Sequence, residues 1–368
     1  MKFTDLDTPS LIINYERLID NCINMQIYAD KQRVSLRPHT KTHKMPKLAL
    51  KQIELGAKGI AVAKVGEAEV MASHGINNIF IANEIVGSKK LERVAKLSKT
   101  INISFGLDSV DQAKMIEHTF SKSKAIATVL IEIEVGEERS GIVSKDQFIK
   151  LLNFLSKCKH IHLNGIFSHD GHSYGAKDLD EVEKIHIESQ ERTLEFVNLA
   201  KNMGFEIETV SIGSTPSLMH NFKILDGITE IRPGTYIFMD ASQGNSYGSY
   251  SRCAATVLAT VMSKPTSERV ILDVGAKGLT TQTRNKGLCR TKGLGVIKGF
   301  DRVTIYDVYD EHAIIYNKDF SKSVSIGDKV EIIPNHICPV VNLHESAFII
   351  LKDQVFDEIK IKCRGKLK

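Results

Sequence analysis

Between residues 34 and 232, short runs of β-branched and apolar residues alternate with longer segments whose apolar positions recur at helical spacing. The runs are VSLRPH (34–39), GIAVA (59–63), NIFIA (78–82), INISFGL (101–107), IATVLIEIEV (126–135), IHLNGIFSH (161–169), ETVSIG (208–213) and ITEIR (228–232). Helix-like stretches such as KKLERVAKL and EVEKIHIESQERTLEFVNLAKNMG separate them, several followed by a glycine at a stop position. Eight βα units predict a (β/α)8 barrel of the TIM type over residues 1–240, with an open doubly wound sheet as the competing α/β architecture. Polar residues favour the barrel. Lys41, Glu84, Asp108, Arg139, His169, His172, Ser214, Thr215 and Tyr236 all follow strand ends, the rim where barrel enzymes assemble their sites, whereas an open sheet gathers only those near its switch point. After residue 240 the pattern becomes strand-like runs separated by turns, among them AATVLATVM, RVILDV, KVEIIP, SAFIIL and FDEIKI. Residues 241–368 therefore read as an all-β domain without helices, against which the N-terminal residues can pack.

Composition narrows the class. The chain has 368 residues, 42% hydrophobic and 25% charged, which is ordinary for a folded protein with a sizeable core. The net charge of +5 is spread along the chain, without the dense basic patch that nucleic-acid binding needs, and suits small anionic ligands. Six scattered cysteines form no C-x-x-C pair, arguing against a disulfide framework and for a reducing cytoplasm. Asp5 and Asp7 interrupt the N-terminus where a signal peptide would need an apolar stretch, and no run is long enough to span a membrane.

Four stretches carry chemistry. RPHTKTHK (37–44) sets two lysines and two histidines past the first barrel strand; a desolvated lysine there can lose its proton and form an imine, and Lys41, nearer the strand end, is preferred to Lys44. VSIGSTPS (210–217) offers Gly213, Ser214 and Thr215 at a strand-to-helix turn, where exposed N–H groups and hydroxyls can hold a phosphate. Lysine and phosphate turn together point to pyridoxal phosphate. PNHICPVVN (334–342) presents His336 and Cys338 two apart on an expected strand, so that both side chains face one way as a ligand pair for zinc or a similar divalent ion. SHDGHSYG (168–175) gathers His169, Asp170, His172 and Tyr174 on one loop, suited to acid–base work. Each has a bland alternative: a solvated basic loop, an ordinary turn and N-cap, core packing, and a hydrogen-bonded structural loop.

Taken together, LDTPSLIINYERLIDN, RPHTKTHK, GIAVAKVGEAEVMASHGINNIFIAN, SHDGHSYG, VSIGSTPS, EIRPGTYIFMD and PNHICPVVN resemble the D-threonine aldolase and D-serine dehydratase family, of the alanine-racemase-like class. The resemblance implies a barrel and a C-terminal β domain, pyridoxal phosphate on Lys41, and a divalent metal (Zn, Mn or Mg) on His336 and Cys338. It places Arg139, Tyr174, Gly213, Ser214, Thr215 and Tyr236 around the cofactor, with His169 and His172 over the substrate and His172 as a candidate base. The implied reaction is a lyase step on a D-amino acid with a β-hydroxyl, retro-aldol cleavage being favoured over dehydration to a keto acid and ammonia. Racemisation, which needs no metal, and a non-catalytic cofactor carrier are the remaining alternatives. A homodimer is implied, because barrels of this class complete the active-site mouth with the β domain of a second chain.

Overall fold

The computed structural model describes all residues, Met1–Lys368. Its first strand, β1 (Ser10–Asn14), belongs to the second sheet; the next eight form a parallel sheet of their own. These are β2 (Ser35–Leu36), β3 (Ile60–Val62), β4 (Asn78–Glu84), β5 (Asn102–Leu107), β6 (Ala127–Ile133), β7 (Ile161–Ser168), β8 (Thr209–Ile212) and β9 (Glu230–Ile231). Neighbours follow chain order from β3 to β9, and β9 pairs with β2. The circle closes just past β2: His39 bridges Ala61, the Thr40 N–H donates to Ala61 O at 2.8 Å, and the Ala61 N–H to Pro38 O at 2.8 Å. Each of the eight runs read from the sequence coincides with one of these strands, β4 running two residues past its run to Glu84, and the closed circle excludes the open sheet.

Side chains alternate across the wall as the pleat requires. Ile79 and Ile81 pack outward into the main core, while Ala61, Phe80, Leu130 and Phe167 make a separate cluster inside the barrel, Phe80 and Phe167 edge to face at 5.1 Å. This apolar plug is the floor on which the rim residues stand.

The second sheet comprises β1 with β10 (Ala255–Ser263), β11 (Arg269–Leu272), β12 (Val296–Ile297), β13 (Phe300–Thr304), β14 (Asp307–Val308), β15 (Ala313–Tyr316), β16 (Lys329–Ile333), β17 (Ser346–Leu351) and β18 (Gln354–Lys360). β1 lies between β10, antiparallel, and β17, parallel, so residues ahead of the barrel are built into this sheet. A single cluster of 81 buried residues runs through both sheets, so they share one core. The expectation of a helix-free C-terminal half is corrected: Ala241–Tyr247, Lys318–Ser323 and Ile337–Leu343 are short helices. The last of these also overturns the strand expected for PNHICPVVN. His336 is the N-cap and Cys338 the second helical residue, so their relation is that of a helix start, not a pleat. No helix is long and apolar enough to cross a membrane.

Candidate active site

At the rim of the barrel a cavity of about 50 Å³ is lined by His39, Lys41, Ala82, Glu132, Arg139, Phe167, His169, Tyr174, Ser214, Thr215, Arg232, Gly234 and Thr235.

The chain past β2 divides its basic residues between two environments. Both the N–H (2.8 Å) and the hydroxyl (3.0 Å) of Thr40 donate to Ala61 O, tying this segment to β3. His39 and Lys41 then face the cavity, the Lys41 N–H donating to His39 Nδ1 at 3.4 Å. Lys44 turns away into a buried ion pair with Glu67 at 2.5 Å, and His43 into a hydrogen bond with Gln52 at 3.1 Å. Lys41 makes no ion pair, and burial lowers its pKa below the ordinary lysine range, with the Cys338 side chain opposing and Arg139 reinforcing. Burial thus biases Lys41 toward the nucleophilic amine, whereas an ammonium held by Glu67 is no nucleophile.

The turns after β7, β8 and β9 interlock. Ser214 Oγ lies 2.9 Å from Ser173 Oγ, and Thr215 Oγ1 accepts from the N–H groups of Gly234 (3.3 Å) and Thr235 (3.1 Å). Gly213 sits behind them: its carbonyl accepts from the Asp170 N–H at 3.1 Å, and a Cβ there would lie 3.0 Å from Arg232 O. The result is a hydroxyl-rich wall of small residues.

Arg232 follows β9 and lies over the plug, its Cζ 5.7 Å from the Phe80 ring and 5.2 Å from that of Phe167. Its Nη2 donates to Ser168 O at 2.7 Å, but Nη1 is buried without a partner, and burial draws its pKa down to about 10. An unpaired buried guanidinium nitrogen on a cavity wall is a donor awaiting a ligand.

His169 ends the β7 segment, and its Nδ1 is 2.9 Å from Glu137 Oε2, which leaves Nε2 available. Burial lowers its pKa, with Glu137 opposing, so the ring is a neutral base. Glu137 also accepts from Arg139 at 3.3 Å, linking two expected site residues through a carboxylate that the sequence did not single out.

His336 and Cys338 reach the same rim from the second sheet. His336 Nδ1 is 2.9 Å from Gln282 Oε1, and burial holds its pKa below the ordinary value, so the imidazole is neutral and fit to ligate. Cys338 Sγ donates to Thr42 Oγ1 at 3.3 Å and lies 3.8 Å from Thr235 Oγ1. Asp240 fastens this turn: its carboxylate accepts from the Gln243 N–H at 2.9 Å and the Ile337 N–H at 3.1 Å, and burial raises its pKa to about 6 against the pull of His336. No cluster of three or more His, Cys, Asp and Glu is arranged to hold a metal, so an ion here would have two protein ligands and open positions.

Two expected residues are not brought to the cavity. Tyr236 points the other way from Thr235 in the turn Thr235–Ile237; its hydroxyl accepts from Gln52 Nε2 at 2.8 Å, and it lines an outer groove with Met25 and Tyr28. His172 lines an adjoining cleft with Tyr174 and Arg284. Sequence reading missed His39, Glu132, Glu137, Arg232 and Thr235. Arg232 closes the run ITEIR and obeys the strand-end rule already in use, and Glu132 is two residues from Leu130, hence on the same interior face of β6.

Fold and site together define a barrel enzyme with a half-buried, unpaired lysine facing an anion-ready wall, and a second sheet that delivers an imidazole and a thiol to the same rim. Residues 13–242 match the alanine racemase N-terminal domain and residues 254–350 the putative serine dehydratase domain, and the chain belongs to the D-threonine aldolase and D-serine dehydratase family of alanine-racemase-like proteins. It is 30% identical to a D-threonine aldolase of Arthrobacter sp. over 98% of this chain and 93% of that protein. The solved D-threonine aldolase of Filomicrobium marinum superimposes with a TM-score of 0.89 at 28% identity, covering 100% of this chain and 98% of that one. The D-threo-3-hydroxyaspartate dehydratase of Delftia sp. HT23 superimposes at 0.91 with 25% identity over 98% of each chain, and one of its structures is a cysteine-to-alanine mutant in the metal-free form.

Proposed function

We propose that this protein is a pyridoxal-phosphate- and divalent-metal-dependent lyase of D-amino acids bearing a β-hydroxyl, cleaving D-threonine to glycine and an aldehyde. The observation that carries the reading is a juxtaposition across the fold. Thr42, adjacent to Lys41, meets Cys338 at 3.3 Å although 296 residues separate them, so the candidate metal pair adjoins the loop of the imine-forming lysine.

The cavity fits the cofactor that family membership implies. Lys41 would hold it covalently; Ser214, Thr215 and Thr235 would surround its phosphate, and Arg232 Nη1 supplies a donor without another partner. When bound, it supplies an electron sink for charge released at Cα. His336 and Cys338 fit a zinc-like ion, which would act as a Lewis acid on the substrate hydroxyl.

The residues then sort by the proton they can take. His169, oriented by Glu137 and neutral, takes the β-hydroxyl proton for retro-aldol cleavage; it replaces His172 in that role because it faces the cavity. Lys41, which burial biases toward the neutral amine, can take the Cα proton, which is the step for loss of the hydroxyl and release of a keto acid and ammonia. One observation favours that second reading: Cys338 offers a sulfur ligand, and a D-threo-3-hydroxyaspartate dehydratase has been studied through mutants at a histidine and a cysteine two positions apart, the spacing of His336 and Cys338.

We also place the protein in a homodimer, supported by Tyr306, Tyr309 and Tyr316, exposed on or beside β14 and β15 of the second sheet. A cytoplasmic setting is supported by six free cysteines. Product analysis tests the activity. Metal-loaded holoenzyme given D-threonine should yield glycine plus acetaldehyde; a keto acid and ammonia from D-serine alone would select dehydration, and turnover of neither would refute the lyase reading.

A further inference from the structure

Tyr174 of the catalytic cavity also lines a separate, open cleft with Gly171, His172, Gly175, Thr283, Arg284, Asn285 and Lys286, and none of the eight residues is acidic. Arg284 is the centre of this cleft. Its Cζ stands 3.7 Å from the centroid of the Tyr174 ring, the side chain shared by cleft and cavity. It has no carboxylate partner, and its Nε is buried without an acceptor. The carboxylates of this region are engaged elsewhere: Glu137 behind Gly171 by His169 at 2.9 Å and Arg139 at 3.3 Å, and Asp240 by the N–H groups of Gln243 at 2.9 Å and Ile337 at 3.1 Å. Arg284 is half-buried, and its cation–π contact gives the buried Nε no acceptor, so the guanidinium is unpaired and open to an anion.

The cleft is built, not a loop left loose. The Leu288 N–H donates to Ala176 O at 2.7 Å, and the Arg284 N–H to Thr291 Oγ1 at 3.1 Å. Gly287 has φ +64°, and a Cβ there would lie 2.3 Å from Ala176 O, so the loop from the second sheet is seated directly on the barrel turn Gly171–Gly175. Arg284 also lies close enough to His336 to act on it electrostatically.

We propose that this cleft is the subsite for a second carboxylate, carried on Cβ, so that the preferred substrates are β-hydroxy amino acids of the 3-hydroxy-D-aspartate type. The inference rests on the lyase reading for the orientation of the substrate. With the amino group at Lys41, the α-carboxylate, one bond from Cα, falls to cavity groups such as Arg139. A hydroxyl on the His336–Cys338 pair directs the remaining substituent of Cβ past Tyr174. There a methyl group meets Arg284 and gains nothing, whereas a carboxylate gains a charge-assisted, two-nitrogen contact with Lys286 behind it.

Two measurements on holoenzyme test this, one of them independent of turnover. By calorimetry, the unmodified protein should bind D-aspartate roughly tenfold or more tightly than D-alanine, the value of a charge-assisted contact. Arg284→Gln should collapse that ratio and Arg284→Lys should retain part of it. In turnover, the ratio of kcat/KM for 3-hydroxy-D-aspartate over D-threonine should fall by a similar factor in Arg284→Gln. Equal affinity of the unmodified protein for D-aspartate and D-alanine, or ratios that Arg284→Gln does not move, would overturn the subsite. A preference for D-aspartate that depends on Arg284, in a protein that cleaves no hydroxy amino acid, would uphold the subsite and remove the lyase reading.

Discussion

At the scale of single residues, the contrast between Lys41 and Lys44 decides most. Both stand in one basic stretch, and only three-dimensional context separates an unpaired amine on a cavity from a cation spent on Glu67. Lys41→Ala should give a colourless, folded protein on purification with pyridoxal phosphate. Lys44→Ala should keep the imine absorbance yet lose roughly 3–5 kcal/mol of stability, because Glu67 is left buried without its partner; absorbance spectra and denaturant melts read the two effects. Asp170 makes a second prediction. Burial raises its pKa, but the His186 imidazole, its Nδ1 3.8 Å away, and a hydrogen bond from the Ser217 hydroxyl outweigh this and bring it down to about 2. A carboxylate depressed in the folded state stabilises fully above its unfolded value near 4 and loses that contribution as pH falls toward 2, on the order of 2 kcal/mol in all. Asp170→Asn should flatten the acid limb of a plot of Tm against pH in that window; an unchanged limb would show that other groups control it. Lys41, Ser214, Thr215, His336 and Cys338 were legible because rim chemistry follows strand ends or short spaced pairs. Arg232 and Glu132 were not, because their significance is an unfilled bond and an inward face, properties of packing.

At the scale of elements, the eight barrel strands were legible because β-branched runs and helical periods alternate without ambiguity. The second half was harder. In ICPVVNL a short apolar run fits strand or helix equally by periodicity, and Pro339 in the first turn, which a helix tolerates, was the available hint of one. ASQGNSY has no apolar stripe at all and is helical through its Asp240 cap, which accepts from Gln243 N. Register within the barrel can be tested directly. A Cβ on Gly165 of β7 would lie 2.1 Å from Thr209 O of β8, so Gly165→Ala must push two paired strands apart. It should cost about 1–3 kcal/mol by denaturant unfolding. Gly175→Ala, with no atom within 4 Å of the added Cβ, should stay within about 0.5 kcal/mol.

At the scale of the whole molecule, the account joins two sheets around one cavity: the barrel supplies Lys41 and the hydroxyl wall, and the second sheet supplies His336, Cys338 and Arg284. Light scattering should report a homodimer, and a monomer fully active at nanomolar concentration would show that the mouth needs no second chain. The central claim is that the His336–Cys338 pair serves the reaction through a metal while the lysine holds the cofactor without it. Treating the yellow holoenzyme with a chelator and following D-threonine cleavage alongside the imine absorbance tests this most directly. The predicted result is that turnover vanishes, the colour stays, a divalent ion restores activity, and Cys338→Ala behaves like the chelated protein. Full-rate turnover by protein shown metal-free by elemental analysis would contradict the claim and make His336 and Cys338 ordinary packing residues.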